Sequence, residues 1–70
     1  MKIQYFADTD TLLIAFKDRP VTETRDLDEN TLLDLDAAGR VVSITLEHAS
    51  ERADVDGVTY QRVRAASAKL

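Results

Sequence analysis

Apolar and polar residues alternate in short runs along this chain, and turn-forming residues separate the runs. Ile3 and Tyr5 alternate with polar neighbours, which predicts a first strand. Residues 11–16 are mostly apolar and rich in β-forming types, so they predict an interior strand with apolar contacts on both faces. Residues 21–25 are mostly polar and alternate weakly, which predicts an edge strand.

The clearest pattern lies between residues 30 and 50. Two apolar stretches, residues 32–35 and 41–46, are joined by the segment Asp36–Gly39. A type I turn followed by a residue in the left-handed conformation closes such a hairpin, and glycine is favoured at that last position. We therefore predict two strands and a positive φ at Gly39.

The pattern weakens after Glu47. Residues 48–53 are compatible with a single helical turn or with an irregular loop. Residues 58–63 alternate again, which predicts a last strand, and the alanine-rich residues 64–70 allow a short C-terminal helical segment. The fold class is thus mainly β, an antiparallel meander or partial barrel of five to six strands. It forms a single domain over residues 1–63 with a tail over residues 64–70.

The size of the chain favours self-association. Seventy residues without cysteine can form neither disulfides nor thiolate metal sites, and a chain of this length buries only about 60% of its unfolded surface. Small domains commonly gain stability from oligomerisation. We therefore expect a homodimer, in which a second subunit supplies the core that one small sheet lacks.

The charge distribution and hydropathy exclude some classes of partner. The net charge is −4, and residues 1–39 carry nine acids against four bases, which disfavours binding to nucleic-acid phosphates. No apolar stretch approaches the roughly 18 residues that span a bilayer. Residues 1–5 lack the apolar core of a signal peptide. We expect a cytoplasmic protein with no membrane and no nucleic-acid partner.

Several of these segments together resemble a known family of short prokaryotic proteins, domain of unknown function 2283. The likeness covers about residues 1–54. It rests on Tyr5, residues 10–14, residues 21–24, the Leu-Asp-Leu-Asp run of residues 33–36 with Leu32, residues 39–42, Ile44, and Ala49-Ser50 with the Glu47-His48 step before them. The chain departs from the family pattern at Phe6, where aspartate is commoner, and in its basic C-terminal tail.

The resemblance implies a compact β-rich domain and brings no activity, cofactor or catalytic residue with it. Members lie beside small toxin-like genes in some genomes, which implies an antitoxin or partner role. The expected function is therefore a non-enzymatic protein-interaction module with a protein partner and no cofactor.

One cluster offers an enzymatic or ligand-binding alternative. Glu47, His48, Ser50 and Glu51 lie close together in sequence and could combine acid–base and nucleophilic groups. His48 is the only histidine, and residues two apart seldom meet in triad geometry. The preferred interpretation is structural: Ser50 caps a short turn, and His48 packs at the rim of the sheet.

Two acidic pairs have the spacing of cation ligands. Asp34 and Asp36 precede Gly39 as in the start of a calcium loop, but Ala38 and Thr45 stand where oxygen ligands are required. Asp8 and Asp10 flank Thr9 in a triplet that also suits a simple turn. We assign no metal, cofactor or catalytic residues.

The four aromatic residues could form a stacking platform for single-stranded nucleic acid. They are Tyr5, Phe6, Phe16 and Tyr60. Such a platform also needs a basic groove, and the acidic first half of the chain argues against one. Core packing is the preferred role for Tyr5 and Phe16.

Overall fold

The computed structural model describes residues 1–64 and shows one open antiparallel sheet of five strands. The strands are β1 (Lys2–Phe6), β2 (Thr11–Ala15), β3 (Glu23–Asp28), β4 (Thr31–Leu35) and β5 (Val41–Glu47), followed by a single 3-10 turn, η1 (Ala49–Glu51). The mainly β fold class is thus confirmed. The sheet has two free edges, so the described residues do not close into a barrel.

The strand order β1-β2-β5-β4-β3 joins two units side by side. One is the β1–β2 hairpin, and the other is the meander β3–β4–β5. The last strand, β5, lies in the centre because it pairs with β2 on one side and with β4 on the other. The prediction of an interior strand at β2 is confirmed, since β2 is paired on both sides.

Strand register separates an apolar face of the sheet from a mixed face. Cross-strand partners share a face, and two rows of such partners define the apolar face. The first row is Ile3, Ile14, Ile44 and Leu33, and the second is Tyr5, Leu12 and Leu46. The opposite, mixed face carries rows such as Gln4, Leu13, Thr45 and Leu32.

The connection from β2 to β3 crosses the sheet at the end where β5 begins. The Phe16 amide donates to the Val42 carbonyl (2.8 Å), and the Thr22 amide donates to the Leu35 carbonyl (2.9 Å). Val42 and Leu35 are only 4% and 5% exposed. Phe16, predicted to pack in the core, is 37% exposed. It lies just beyond β2 in this crossover, where the alternation of the strand no longer directs its side chain inward.

The β4–β5 turn has the predicted chemistry. The Gly39 amide donates to the Asp36 carbonyl (3.0 Å), and the Asp36 amide donates to the Arg40 carbonyl (2.9 Å). The Asp36 carboxylate accepts from the Ala38 and Arg40 amides, both at 2.9 Å. Gly39 has φ +81°, so the expected left-handed glycine is confirmed.

We predict that Gly39→Val lowers the free energy of unfolding by about 1–2 kcal/mol, because a β-branched residue strains the left-handed conformation. An added Cβ at Gly39 would meet no atom within 4 Å, so the loss would come from the backbone alone. Urea unfolding measures it. Gly57→Val is the control, since this site is equally open and has no positive φ; equal losses in both variants would contradict the assignment.

Two strand predictions need correction. The edge strand expected over residues 21–25 is present at the sheet edge, since it pairs only with β4, but it spans Glu23–Asp28. The last strand expected over residues 58–63 is absent: these residues have no regular structure, and Val58, Tyr60 and Val63 are exposed. β5 is paired on both sides, so the segment after it cannot extend the sheet at β5, and residues 58–63 pair with neither free edge.

The C-terminal predictions are tested only in part. The helical turn suggested within residues 48–53 is present as η1. The possible C-terminal helical segment falls almost entirely on residues 65–70, which lie outside the described residues. The boundary between the domain and its tail at residue 63 therefore stays a prediction.

Candidate functional site

The polar groups of the sheet concentrate at the end where β5 stops. There the chain leaves β5, passes His48 and forms η1 between the β1–β2 and β3–β4 turns. Asp10 belongs to the first of these turns and Asn30 to the second. This strand end is the candidate site because it brings together most of the residues that the sequence singles out.

Asp10 is the centre of a network between β1, its turn and η1. Its carboxylate accepts hydrogen bonds from the Tyr5 hydroxyl (2.6 Å), the Ser50 amide (3.0 Å) and the Ser50 hydroxyl (2.8 Å). Its carbonyl accepts from the Ala49 amide (2.9 Å). Ala49 is completely buried. We call the group formed by Tyr5, Asp10, Ala49 and Ser50 the Asp10 latch.

Two residues at the Asp10 latch have a left-handed backbone conformation, one in the β1–β2 turn and one just before η1. Asp10 and His48 each have φ 55°, in the left-handed region. Aspartate and histidine tolerate this conformation better than most residues, but still at some cost. With these two residues in the left-handed conformation, the Asp10 carbonyl and carboxylate face the start of η1. Asp10 therefore caps η1 from 40 residues earlier in the chain.

Hydrogen bonding shifts the acidity of both partners. The bond from Tyr5, followed by those from Ser50, lowers the pKa of the Asp10 carboxyl below its ordinary value of 3.8. The same bond to Asp10 raises the pKa of the Tyr5 hydroxyl above 10.0. Both shifts favour an ionised carboxylate beside a neutral phenol.

The sign of these shifts predicts acid sensitivity. A carboxyl whose pKa is lower in the folded state stabilises the fold above its ordinary pKa, and this contribution is lost as pH falls through the folded pKa. The pKa values of Asp28 and Asp36 are also lowered. We expect the thermal midpoint to fall as the pH is lowered below about 4.

Asp10→Asn isolates the contribution of the latch, because asparagine tolerates the left-handed backbone but cannot ionise. We expect a lower thermal midpoint near neutral pH and a shallower fall on acidification. Asp8→Asn is the matched control, since Asp8 is exposed and its carboxylate makes no hydrogen bond within residues 1–64. The assignment would be wrong if both variants had the same pH profile as the wild type.

Arg52 attaches the other side of η1 to the β3–β4 turn. Its guanidinium donates to the Asn30 carbonyl (2.7 Å), the Thr31 hydroxyl (2.6 Å) and the Glu47 carbonyl (3.3 Å). The Glu47 amide also donates to the Asn30 carbonyl (2.8 Å). The segment after β5 is thus bound to both hairpins, through Asp10 on one side and Arg52 on the other.

The predicted cluster of Glu47, His48, Ser50 and Glu51 does not assemble as a reactive group. The Ser50 hydroxyl donates to Asp10, and the exposed His48 side chain makes no hydrogen bond within residues 1–64. The preferred structural interpretation is corrected in two respects. Asp10 rather than Ser50 caps η1, and His48 lies exposed rather than packed at the rim.

Three of the four aspartates in the two acidic pairs, Asp10, Asp34 and Asp36, accept hydrogen bonds from side chains or amides of the protein itself. Asp34 accepts from the hydroxyls of Thr24 and Ser43, both at 2.7 Å, across three neighbouring strands. Asp36 accepts from turn amides and from Arg19 (3.0 Å). Within residues 1–64 no group of three or more histidine, cysteine, aspartate or glutamate residues is arranged to hold a metal ion.

Only some residues of this site could be identified from the sequence. Tyr5, Asp10 and Ser50 all carry the family resemblance, but their meeting is visible only in the folded sheet. Arg52 was not singled out. The one available signal was a basic residue just after a predicted turn, which is too common to identify a contact.

These features define a class: a small one-layer antiparallel β protein whose polar networks join η1 to the β1–β2 and β3–β4 turns. The chain matches the family model described as "Protein of unknown function (DUF2283)" over residues 2–50, and it belongs to this family. The match ends at Ser50, the residue that closes the Asp10 latch. Comparisons with curated proteins and with solved structures gave no match.

The family membership leaves the function unknown. Within residues 1–64 no helix has the length and apolar character needed to cross a membrane.

Proposed function

We propose that the chain is a non-enzymatic protein-interaction module that acts in the cytoplasm as a homodimer. The observation that carries the proposal is the apolar face of the sheet, which no second layer of regular secondary structure covers. Within residues 1–64 the helical structure is limited to the single turn η1, and there is no second sheet to pack on this face. Stable domains normally bury such a face against a second layer.

The exposure of apolar side chains supports a missing partner. No large side chain within residues 1–64 is completely buried, and Ile3 is 41% exposed. Ile14, Ile44 and Leu33 remain half-buried although they lie in the centre of the sheet. A continuous apolar patch rimmed by polar residues is typical of a protein-binding surface.

The charge of the module indicates the kind of partner. The chain has a net charge of −4, and the β3 edge carries three acids, Glu23, Asp26 and Asp28, against one base, Arg25, which pairs with Glu23. Such an edge favours a basic protein and repels acidic ones. An antitoxin-like role, in which the module neutralises a basic partner encoded nearby, fits this chemistry.

Co-expression with the product of the adjacent gene tests the proposal. We expect stoichiometric recovery of that product with the wild type, and its loss with Ile44→Thr, which places a hydroxyl in the middle of the apolar face. Leu13→Thr is the matched control, because Leu13 is also half-buried but lies on the mixed face. Circular dichroism confirms folding of both variants. Equal recovery with both variants, or no recovery with the wild type, would contradict the proposed partner surface.

A further inference from the structure

The two free edges of the sheet differ in their protection against pairing with another strand. The outer strand β3 carries four charged residues within Glu23–Asp28, and its register with β4 shifts between Asp26 and Asp28, leaving Leu27 unpaired. Charges and bulges of this kind discourage the addition of a further strand. The β3 edge is therefore a protected edge.

The opposite edge, β1, lacks the bulge and the cluster of charges that protect β3. It pairs with β2 in unbroken register over all five residues, and Lys2 is its only charged residue. It contains no proline and no acid. Ile3 and Phe6 are 41% and 44% exposed. A regular, weakly charged strand with exposed apolar side chains presents its outer backbone groups for pairing.

We propose that two copies of this chain pair through their β1 strands, antiparallel and centred on Gln4, to form a continuous ten-stranded sheet. The inference rests on the proposed homodimer and identifies the surface that forms it. The occupant of the β1 edge is a second copy, because strand β1 is complementary to itself in this register.

The self-complementarity follows from the residues that would face one another across the twofold axis. Gln4 lies opposite its own copy, Ile3 lies opposite Tyr5, and Lys2 lies opposite Phe6. Each apolar side chain on the apolar face thus meets another, and each Lys2 ammonium meets an aromatic ring, which is a favourable pairing. No acid and no pair of like charges meet across this interface.

The same symmetric, antiparallel pairing is unfavourable at β3. A symmetric β3 pair would place Glu23 opposite Asp28 on both sides of the axis, and like charges directly opposite are destabilising. The unpaired Leu27 would interrupt the ladder in both copies. Charge and regularity therefore both select β1.

Pairing of β1 strands would also enlarge the proposed binding surface. A twofold axis perpendicular to the sheet keeps the two apolar faces on the same side. The row of Ile3, Ile14, Ile44 and Leu33 then continues into Tyr5, Leu12 and Leu46 of the second copy. One partner could cover both apolar faces at once.

Charged substitutions of Gln4, the residue at the twofold axis, test the inference. Gln4 is exposed, so Gln4→Glu and Gln4→Lys should fold, yet each places two like charges opposite one another. We expect sedimentation velocity at low salt to show self-association weakened by at least about tenfold in each variant. An equimolar mixture should restore the dimer, and native mass spectrometry should identify it as the heterodimer. Leu27→Glu adds the same charge to the β3 edge and should dimerise like the wild type.

The possible outcomes separate this inference from the proposed homodimer. If the wild type and both Gln4 variants dimerise equally, the homodimer stands and the β1 interface is wrong. If Leu27→Glu alone dissociates, the interface lies at β3. If the wild type is monomeric at every concentration, the homodimer and the β1 interface both fail.

Discussion

Leu12→Ala is expected to lower the free energy of unfolding by about 2–5 kcal/mol. Leu12 is 7% exposed and lies on the apolar face between Tyr5 and Leu46, its partners on the two neighbouring strands. Alanine would remove packing from both and leave space that the sheet cannot close. A chain of this length has a total stability of only about 4–10 kcal/mol, so a large part of it would be lost.

Urea unfolding followed by circular dichroism measures this loss. Leu27→Ala is the matched control, because Leu27 is 64% exposed on β3 and lies outside the regular ladder. The control should change the midpoint only slightly. Similar losses in the two variants would mean that the buried row around Leu12 is not the core of the sheet.

Ala49→Leu is expected to cost about 1–3 kcal/mol through overpacking. Ala49 is completely buried at the start of η1, and its amide donates to the Asp10 carbonyl at 2.9 Å. A larger side chain has no space there and must move η1 away from the β1–β2 turn. The Asp10 latch would then open, and Ser50 would lose its acceptor.

Thermal unfolding, with hydrogen exchange at the Ser50 amide, follows both effects. Ala53→Leu is the control, since Ala53 is exposed two residues beyond η1. We expect near-wild-type stability and a protected Ser50 amide in this control. A stable Ala49→Leu variant with the Ser50 amide still protected would contradict the described packing.

The parts of the fold that depend on local chemistry could be predicted from the sequence. The turn at Gly39 required a left-handed residue within four positions, and the structure has it. The interior position of β2 followed from its apolar residues on both faces. In each case the determining interactions lie within a few residues of one another.

The parts that depend on the whole topology could not be predicted. Alternation in residues 58–63 indicates a strand but not whether the chain brings that segment to a free edge of the sheet. The Asp10 latch joins residues that are 40 positions apart, and no local pattern identifies such a pair. The sequence therefore predicted only that Ser50 caps a short turn, whereas in the structure its amide and hydroxyl both donate to Asp10.

The central claim is that the chain is stable as a homodimer, in which a second copy extends the sheet. The most direct test is the urea midpoint of the wild type over about a hundredfold range of protein concentration, because unfolding coupled to dissociation depends on concentration. We predict a midpoint that rises steadily with concentration, together with a dimeric mass by sedimentation. A concentration-independent midpoint with a monomeric mass would contradict the claim.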